Sequence, residues 1–143
     1  MEASCHAAGG TGPDGGVLVD VPRIALVGSP NAGKTSLFNG LTGLHAKTGN
    51  YPGVTVSRYL GTCRIGEGKY LIEDLPGTYS LEPISPDEQI VVDTLTGDTS
   101  GSPTELTRPD AVIVAVDATT LRRSLGLVAQ VLAHGLPTCL VVT

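Results

Sequence analysis

Three short, mostly apolar runs stand out along the chain: Ile24-Ala25-Leu26-Val27, Ala111-Val112-Ile113-Val114-Ala115-Val116, and the stretch 137–142, in which Thr138 is the one polar side chain. Runs of this length without polar alternation predict strands buried on both faces, as in a parallel sheet. Between them the period becomes helical. Leu37, Phe38 and Leu41 fall on one face over residues 35–42, and Gly43 suits the stop. Leu121, Leu125, Val128 and Leu132 recur at helical spacing over residues 120–134, and Gly135 ends that segment. Ser85-Pro86-Asp87-Glu88 predicts a third helix start. Ser85 can cap, Pro86 fits the first helical position, and Glu88 closes a capping box, with the helix running to about Leu95.

The rest is turns, loops and one hairpin. Residues 56–65 and 69–74 flank Gly66-Glu67-Gly68, a hairpin pattern with a short glycine-containing turn. Residues 44–55 contain Gly49, Pro52 and Gly53 with no period and read as a mobile loop. Residues 75–84, with Pro76, Gly77 and Pro83, read as a second loop, and 97–109 as a surface loop. Residues 1–20 are glycine-rich with little to bury and read as a disordered leader. The order strand, helix, hairpin, helix, strand, helix, strand predicts an α/β fold over residues 21–143. Its sheet is mostly parallel, with helices on both faces and a ligand site at the carboxyl ends of the strands.

Composition narrows the partners. Lysine and arginine total 9 and are scattered, and the net charge is −5. No basic stripe exists for nucleic acid. Four tyrosines, one phenylalanine and no tryptophan give no base-stacking platform. Cys5, Cys63 and Cys139 lack the spacing of a zinc site or a disulfide framework. Cys63 and Cys139 read as small buried hydrophobes in strands. Cys5-His6 is a weak metal pair in the leader. No signal peptide and no membrane-length apolar run is present in the sequence.

The chemistry concentrates in Gly28-Ser29-Pro30-Asn31-Ala32-Gly33-Lys34-Thr35, followed by Ser36. Gly28 and Gly33 let the backbone curl so that successive N–H groups face phosphates. The helix that follows adds its positive end. Lys34 can reach the β- and γ-phosphates and the Thr35 hydroxyl can hold Mg²⁺. The pattern follows a strand and opens a helix, the context that a P-loop requires. Asp74-Leu75-Pro76-Gly77 comes next along the chain. Asp74 ends a strand, where its carboxylate can hold Mg²⁺ through a water. The Gly77 N–H can bond the γ-phosphate, since a missing Cβ permits close approach. Thr55 stands between these motifs and can close on Mg²⁺ and the γ-phosphate, though Thr42, Thr48, Thr62 and Thr78 show that threonine is not scarce. Thr78 occupies the place of a water-orienting glutamine. Either intrinsic hydrolysis is slow or the water is held otherwise. Arg122 and Arg123 are expected on a solvated helix face remote from the loops, and Asp117 as a helix cap.

Asn50-Tyr51-Pro52-Gly53-Val54-Thr55-Val56 and Asp74-Leu75-Pro76-Gly77-Thr78-Tyr79-Ser80-Leu81 resemble the two switch regions of the FeoB ferrous-iron transporters. Pro109-Asp110-Ala111-Val112 through Asp117-Ala118-Thr119, and the stretch to Gly135-Leu136-Pro137, resemble that family too. The resemblance implies a P-loop NTPase G domain at the cytoplasmic face of a bacterial inner-membrane Fe²⁺ transporter. It implies GTP or GDP, Mg²⁺, slow hydrolysis and K⁺ stimulation. It places residues 28–36, Gly53, Val54, Thr55 and residues 74–77 around the nucleotide. Thr35, Thr55 and Asp74 then serve Mg²⁺, Asn31 serves K⁺, and Asn31, Lys34 and Thr55 serve the reaction. A small cytoplasmic Feo partner or an oligomer is implied for the parent protein, and membrane contact only through a part beyond this sequence.

The stretch 97–107 is longer and more polar than the family usually has. The sequence ends at Thr143, where the motif that reads guanine would begin, and its aspartate is not among these residues. The expectation is therefore a partial G domain, with Thr143 at the position of that motif's asparagine. Two other readings share the P-loop and Asp74-x-x-Gly77: a soluble ribosome-assembly or tRNA-modifying GTPase, and a non-catalytic nucleotide-binding fragment.

Overall fold

The computed structural model describes residues 21–51, 55–97 and 108–143. Its framework is a six-stranded sheet in the order β2-β3-β4-β1-β5-β6. The strands are β1 (Arg23–Gly28), β2 (Ala46–Asn50), β3 (Ser57–Ile65), β4 (Gly68–Asp74), β5 (Ala111–Val116) and β6 (Thr138–Val142). β1 runs parallel to β4 and β5, and β5 parallel to β6, while β2–β3 and β3–β4 pair antiparallel. Asp110 fastens the entry to β5: its carboxylate accepts from the Arg23 N–H at 2.8 Å, and its own N–H donates to the Arg23 carbonyl at 2.8 Å.

Helices α1 (Lys34–Thr42), α2 (Pro86–Thr96) and α3 (Leu121–Ala133) cover the two faces. Alternate residues of one strand serve opposite sides. Ile24, Leu26 and Ile72 pack with Phe38 of α1 and with Cys63, and Leu37 and Leu41 join them. Ala25, Val27, Val112, Val114 and Val116 pack with Ile90, Val91 and Leu95 of α2 and Leu127 and Val131 of α3. Gly61 is where β3 passes α1: a Cβ there would come within 2.4 Å of the Thr42 methyl.

α2 starts as the residue pattern predicts. The Ser85 hydroxyl accepts from the Glu88 N–H, and the Glu88 carboxylate accepts from the Ser85 N–H. Gly97 ends the helix at φ 68°.

Four expectations are corrected. Part of the stretch read as a mobile loop, residues 46–50, is the edge strand β2. All five residues are exposed, so the strand rests on its hydrogen bonds to β3 and leaves no burial period to read. On α3 the buried residues are Ser124, Leu127 and Val131, while Leu121, Leu125 and Leu132 are exposed. The apolar stripe is wider than the contact, and the leucines lie on its outer flank. β6 is in the sheet but largely exposed, because it is the edge strand beyond β5. Cys139 on β6 is consequently exposed, whereas Cys63 is buried and its thiol pKa is raised by that burial. The leader, Cys5-His6, Gly53, Val54 and most of the stretch 97–107 lie outside the described residues.

Candidate functional site

β1 lies between β4 and β5, and the chain leaves it toward β4 first and β5 later. The carboxyl end of such a strand opens into a crevice between diverging connections. Here that end is Gly28, and an added Cβ would stand 2.9 Å from the Ala115 carbonyl oxygen. The turn that follows is tight: the Ala32 N–H donates to the Ser29 carbonyl at 3.1 Å. Asn31 and Gly33 both take left-handed conformations, at φ 67° and 72°. Asparagine and glycine tolerate that region best.

α1 begins at Lys34 behind Gly33, with no side-chain cap and no acid in its first turn. Its first amides are therefore left to whatever occupies the space in front of them. That space is a cavity of about 520 Å³, lined by P-loop residues between Ser29 and Ser36 and by Gly77.

The second loop closes one wall. Beyond Asp74 the chain keeps following β1, with the Leu75 N–H on the Leu26 carbonyl at 3.1 Å and the Thr78 N–H on the Gly28 carbonyl at 3.0 Å. Gly77 is thereby held against Pro30, where a Cβ would meet the proline ring and nitrogen at 3.1 Å. Asp74 points to the α1 side of the sheet and accepts a hydrogen bond from Lys34 Nζ. Burial raises the Asp74 pKa, and the Lys34 ammonium opposes that rise.

The residue before Asp74 faces the other way. Glu73 is completely buried and pairs across the sheet with Ala25 and Leu60. Its Oε1 accepts from the Tyr51 hydroxyl at 2.9 Å and from Arg58 Nε at 3.0 Å, and Arg23 Nε lies 3.5 Å from Oε2. The Arg58 guanidinium also sits 5.6 Å from the centre of the Tyr51 ring. Burial, and then the Glu73 carboxylate that it donates to, push the Tyr51 hydroxyl pKa well up. The Tyr51 N–H donates to the Val56 carbonyl at 2.9 Å. A buried carboxylate thus ties β4, β3 and β1 to Tyr51, the residue that follows β2.

The structure brings together residues 28–36, Asp74 and Gly77. Thr55 is exposed and does not line the cavity. Asp117 caps as expected, its carboxylate accepting from the Thr119 N–H at 2.8 Å and hydroxyl at 2.7 Å. Those bonds lower its pKa. Thr143 packs beneath the P-loop: its hydroxyl donates to the Ala32 carbonyl at 2.9 Å, and its side chain lies 3.5 Å from a Cβ placed on Gly33. Arg123 is a correction. It is not remote from the loops, because its guanidinium stacks 3.9 Å over the centre of the Tyr79 ring. Glu73 carried one unused signal, a second acid inside an apolar strand, but its partners come from distant parts of the chain.

A glycine turn between a central parallel strand and an open helix end, with a lysine and a strand-end carboxylate meeting beside it, defines a P-loop NTPase fold. The family model described as "Ferrous iron transport protein B" matches residues 22–143. The chain belongs to that family, as its N-terminal G domain.

A curated relative, the Fe(2+) transport protein A/Fe(2+) transporter FeoB fusion protein of Porphyromonas gingivalis, is 46% identical over 125 residues, 87% of this chain and 13% of that protein. The Fe(2+) transporter FeoB of Leptospira biflexa is 42% identical over 121 residues, 85% of this chain and 16% of its own. The chain therefore spans about a seventh of the length of these relatives. Among solved structures, the G domain of T. maritima FeoB superposes with a TM-score of 0.74 at 38% identity, covering 86% of this chain and 72% of that one. A mutant of S. thermophilus NFeoB bound to GDP gives 0.74 at 40% identity, covering 85% and 43%.

Proposed function

We propose that this chain is the part of a FeoB-type transporter that binds GTP with Mg²⁺ and hydrolyses it, regulating or driving Fe²⁺ uptake at the cytoplasmic face of the bacterial cell membrane. The observation that carries the reading is the uncapped start of α1 facing the cavity between the P-loop and Gly77. An anion is the natural complement of such an end. Lys34 would neutralise the phosphates, and the Gly77 N–H would meet the terminal one. Guanine is supported by family membership and by the relative solved with GDP.

The residues fit the ions. The Thr35 hydroxyl and the Asp74 carboxylate are hard oxygen donors suited to Mg²⁺, and the Thr55 hydroxyl, which does not line the cavity, would have to move in to join them. Bound there, Mg²⁺ would offset charge on the β- and γ-phosphates. Asn31 is exposed at the cavity rim in a left-handed conformation and offers its amide oxygen to K⁺. With Thr78 in place of a glutamine, water would be oriented by other means, and K⁺ held by Asn31 would compensate for part of that loss.

Among the described residues no helix is long and apolar enough to cross a membrane. The chain matches 13% and 16% of the length of the two transporter relatives, and contact with the bilayer is assigned to the part those relatives carry beyond it. The fused protein A portion in the P. gingivalis relative supports a small Feo partner. Family membership disfavours the ribosome-assembly alternative.

Two measurements test this reading. Fluorescent GDP should bind saturably while the adenine analogue does not. In the intact gene product, K⁺ should raise GTP hydrolysis over Na⁺, and Asn31→Ala should erase the difference. Equal rates in the two salts for the unmutated protein would remove Asn31 from the site.

A further inference from the structure

The second loop does not leave the P-loop unsupported. Past Thr78 it runs onto α3, on the face of the sheet opposite α1. Gln130, in the last part of α3, presents its side-chain oxygen to two donors of that loop: the Leu81 N–H at 2.7 Å and the Ser80 hydroxyl at 3.3 Å. Seven residues earlier on the same helix, Arg123 covers the Tyr79 ring. Within the loop, the Thr78 hydroxyl donates to the Ser80 carbonyl at 2.6 Å and accepts from the Ser80 N–H at 3.2 Å. The segment is thus fastened to β1 at Leu75 and Thr78 and to α3 at residues 79–81, with Gly77 between the two β1 contacts.

These fastenings differ in what they fix. The β1 contacts are backbone pairings that continue the sheet. Gln130 is the one side chain that meets a backbone N–H of residues 79–81 from outside the loop, among the described residues. Without it the chain leaving Thr78 loses its direction, and a partly buried N–H loses its acceptor. The Thr78 hydroxyl is bonded to both the carbonyl and the N–H of Ser80, so a shift at residues 80–81 pulls on Thr78 and on its N–H bond to the Gly28 carbonyl, the contact that fixes Gly77 from its carboxyl side.

We infer that Gln130 is a positioning residue for GTP hydrolysis: by accepting from Leu81 and Ser80 it sets where the Gly77 N–H stands above the P-loop. The inference rests on the reading above, in which that N–H meets the terminal phosphate. Because Gly77 would meet only the third phosphate, Gln130 should matter for the triphosphate and not for GDP. Catalytic geometry is sensitive to small displacements of this kind.

The test compares Gln130→Ala with Gln130→Glu in the intact gene product. A glutamate keeps an oxygen acceptor at the same reach. For Gln130→Ala, affinity for a non-hydrolysable GTP analogue and the single-turnover GTP rate should both fall about tenfold, the equivalent of one hydrogen bond, with GDP affinity held within about twofold. Gln130→Glu should stay within about threefold of the unmutated protein throughout. Without nucleotide, Leu81 amide hydrogen exchange should accelerate in the alanine variant alone.

Parallel loss of GDP and triphosphate binding in Gln130→Ala would show a purely structural role and overturn the inference. So would a glutamate variant as impaired as the alanine one, or an alanine variant that hydrolyses normally. An unmutated protein that neither prefers the triphosphate nor hydrolyses it overturns the reading of the site itself, and the inference with it.

Discussion

Two helices of this domain begin in opposite ways. α2 closes its own N-terminus: Ser85 and Glu88 satisfy each other's backbone donors, and Asp87 and Glu88 place negative charge against the helix end. α1 does none of this. A left-handed Gly33 precedes it, no side chain caps it, its first turn carries no acid, and Lys34 stands at its first position. Both ends leave backbone amides without an intrahelical partner, three in α2, where Pro86 has no N–H, and four in α1, and both carry the same partial positive charge. One helix consumes them in stability and the other keeps them for a ligand. An N-terminus that a sequence conspicuously fails to cap, beside a cavity, is therefore informative in itself.

The contrast can be broken from either side. The largest effect is expected for Lys34→Ala. Losing a charged contact to phosphate should weaken GDP binding about a hundredfold in a fluorescence titration. The variant also strands the buried Asp74 carboxylate, so its melting temperature should fall as well.

An intermediate effect is expected for Ser36→Glu, which gives α1 an acid at the position Glu88 holds in α2. The added charge should steady the helix by about 0.3–1 kcal/mol. It should also weaken nucleotide binding about tenfold at low salt, and the penalty should shrink as ionic strength rises. A variant that binds GDP normally would mean that the helix end is not the phosphate site.

The smallest effect is expected for Ser85→Ala. It should cost about 1 kcal/mol of stability, read from denaturant unfolding, and leave nucleotide affinity untouched.

The same contrast explains what could be read in the residues alone. Caps, glycine turns and apolar runs are local, and β1, α1, α2 and β5 were recognisable from them. So were the P-loop and the Asp74–Gly77 turn, because each motif carries its chemistry within a few consecutive positions. What could not be read is long-range. β2 has no buried side chain to give it a period. The outward turn of Leu121, Leu125 and Leu132 depends on which neighbours cover α3. Tyr51 and Arg58 meet Glu73 across 22 and 15 residues, and Gln130 meets Leu81 across 49. A single glutamine on a helix gives no sign of such a role until the fold folds the loop back onto it.

The adjacency of Glu73 and Asp74 has a consequence for how β4 can be placed. The two carboxylates point to opposite faces of the sheet, one toward Tyr51, Arg58 and Arg23, the other toward Lys34. A slip of β4 by a single residue would turn every side chain to the wrong face. A slip in one direction would put Asp74 into a pocket shaped for a longer acid, and a slip in the other would drive Glu73 into Lys34. Most sheets guard their register with hydrophobic alternation. This strand adds a second lock made of charge, with its countercharges fixed on both sides. The depth at which Asp74 meets the P-loop lysine is thus set by chemistry that lies on the far side of the sheet from the nucleotide site.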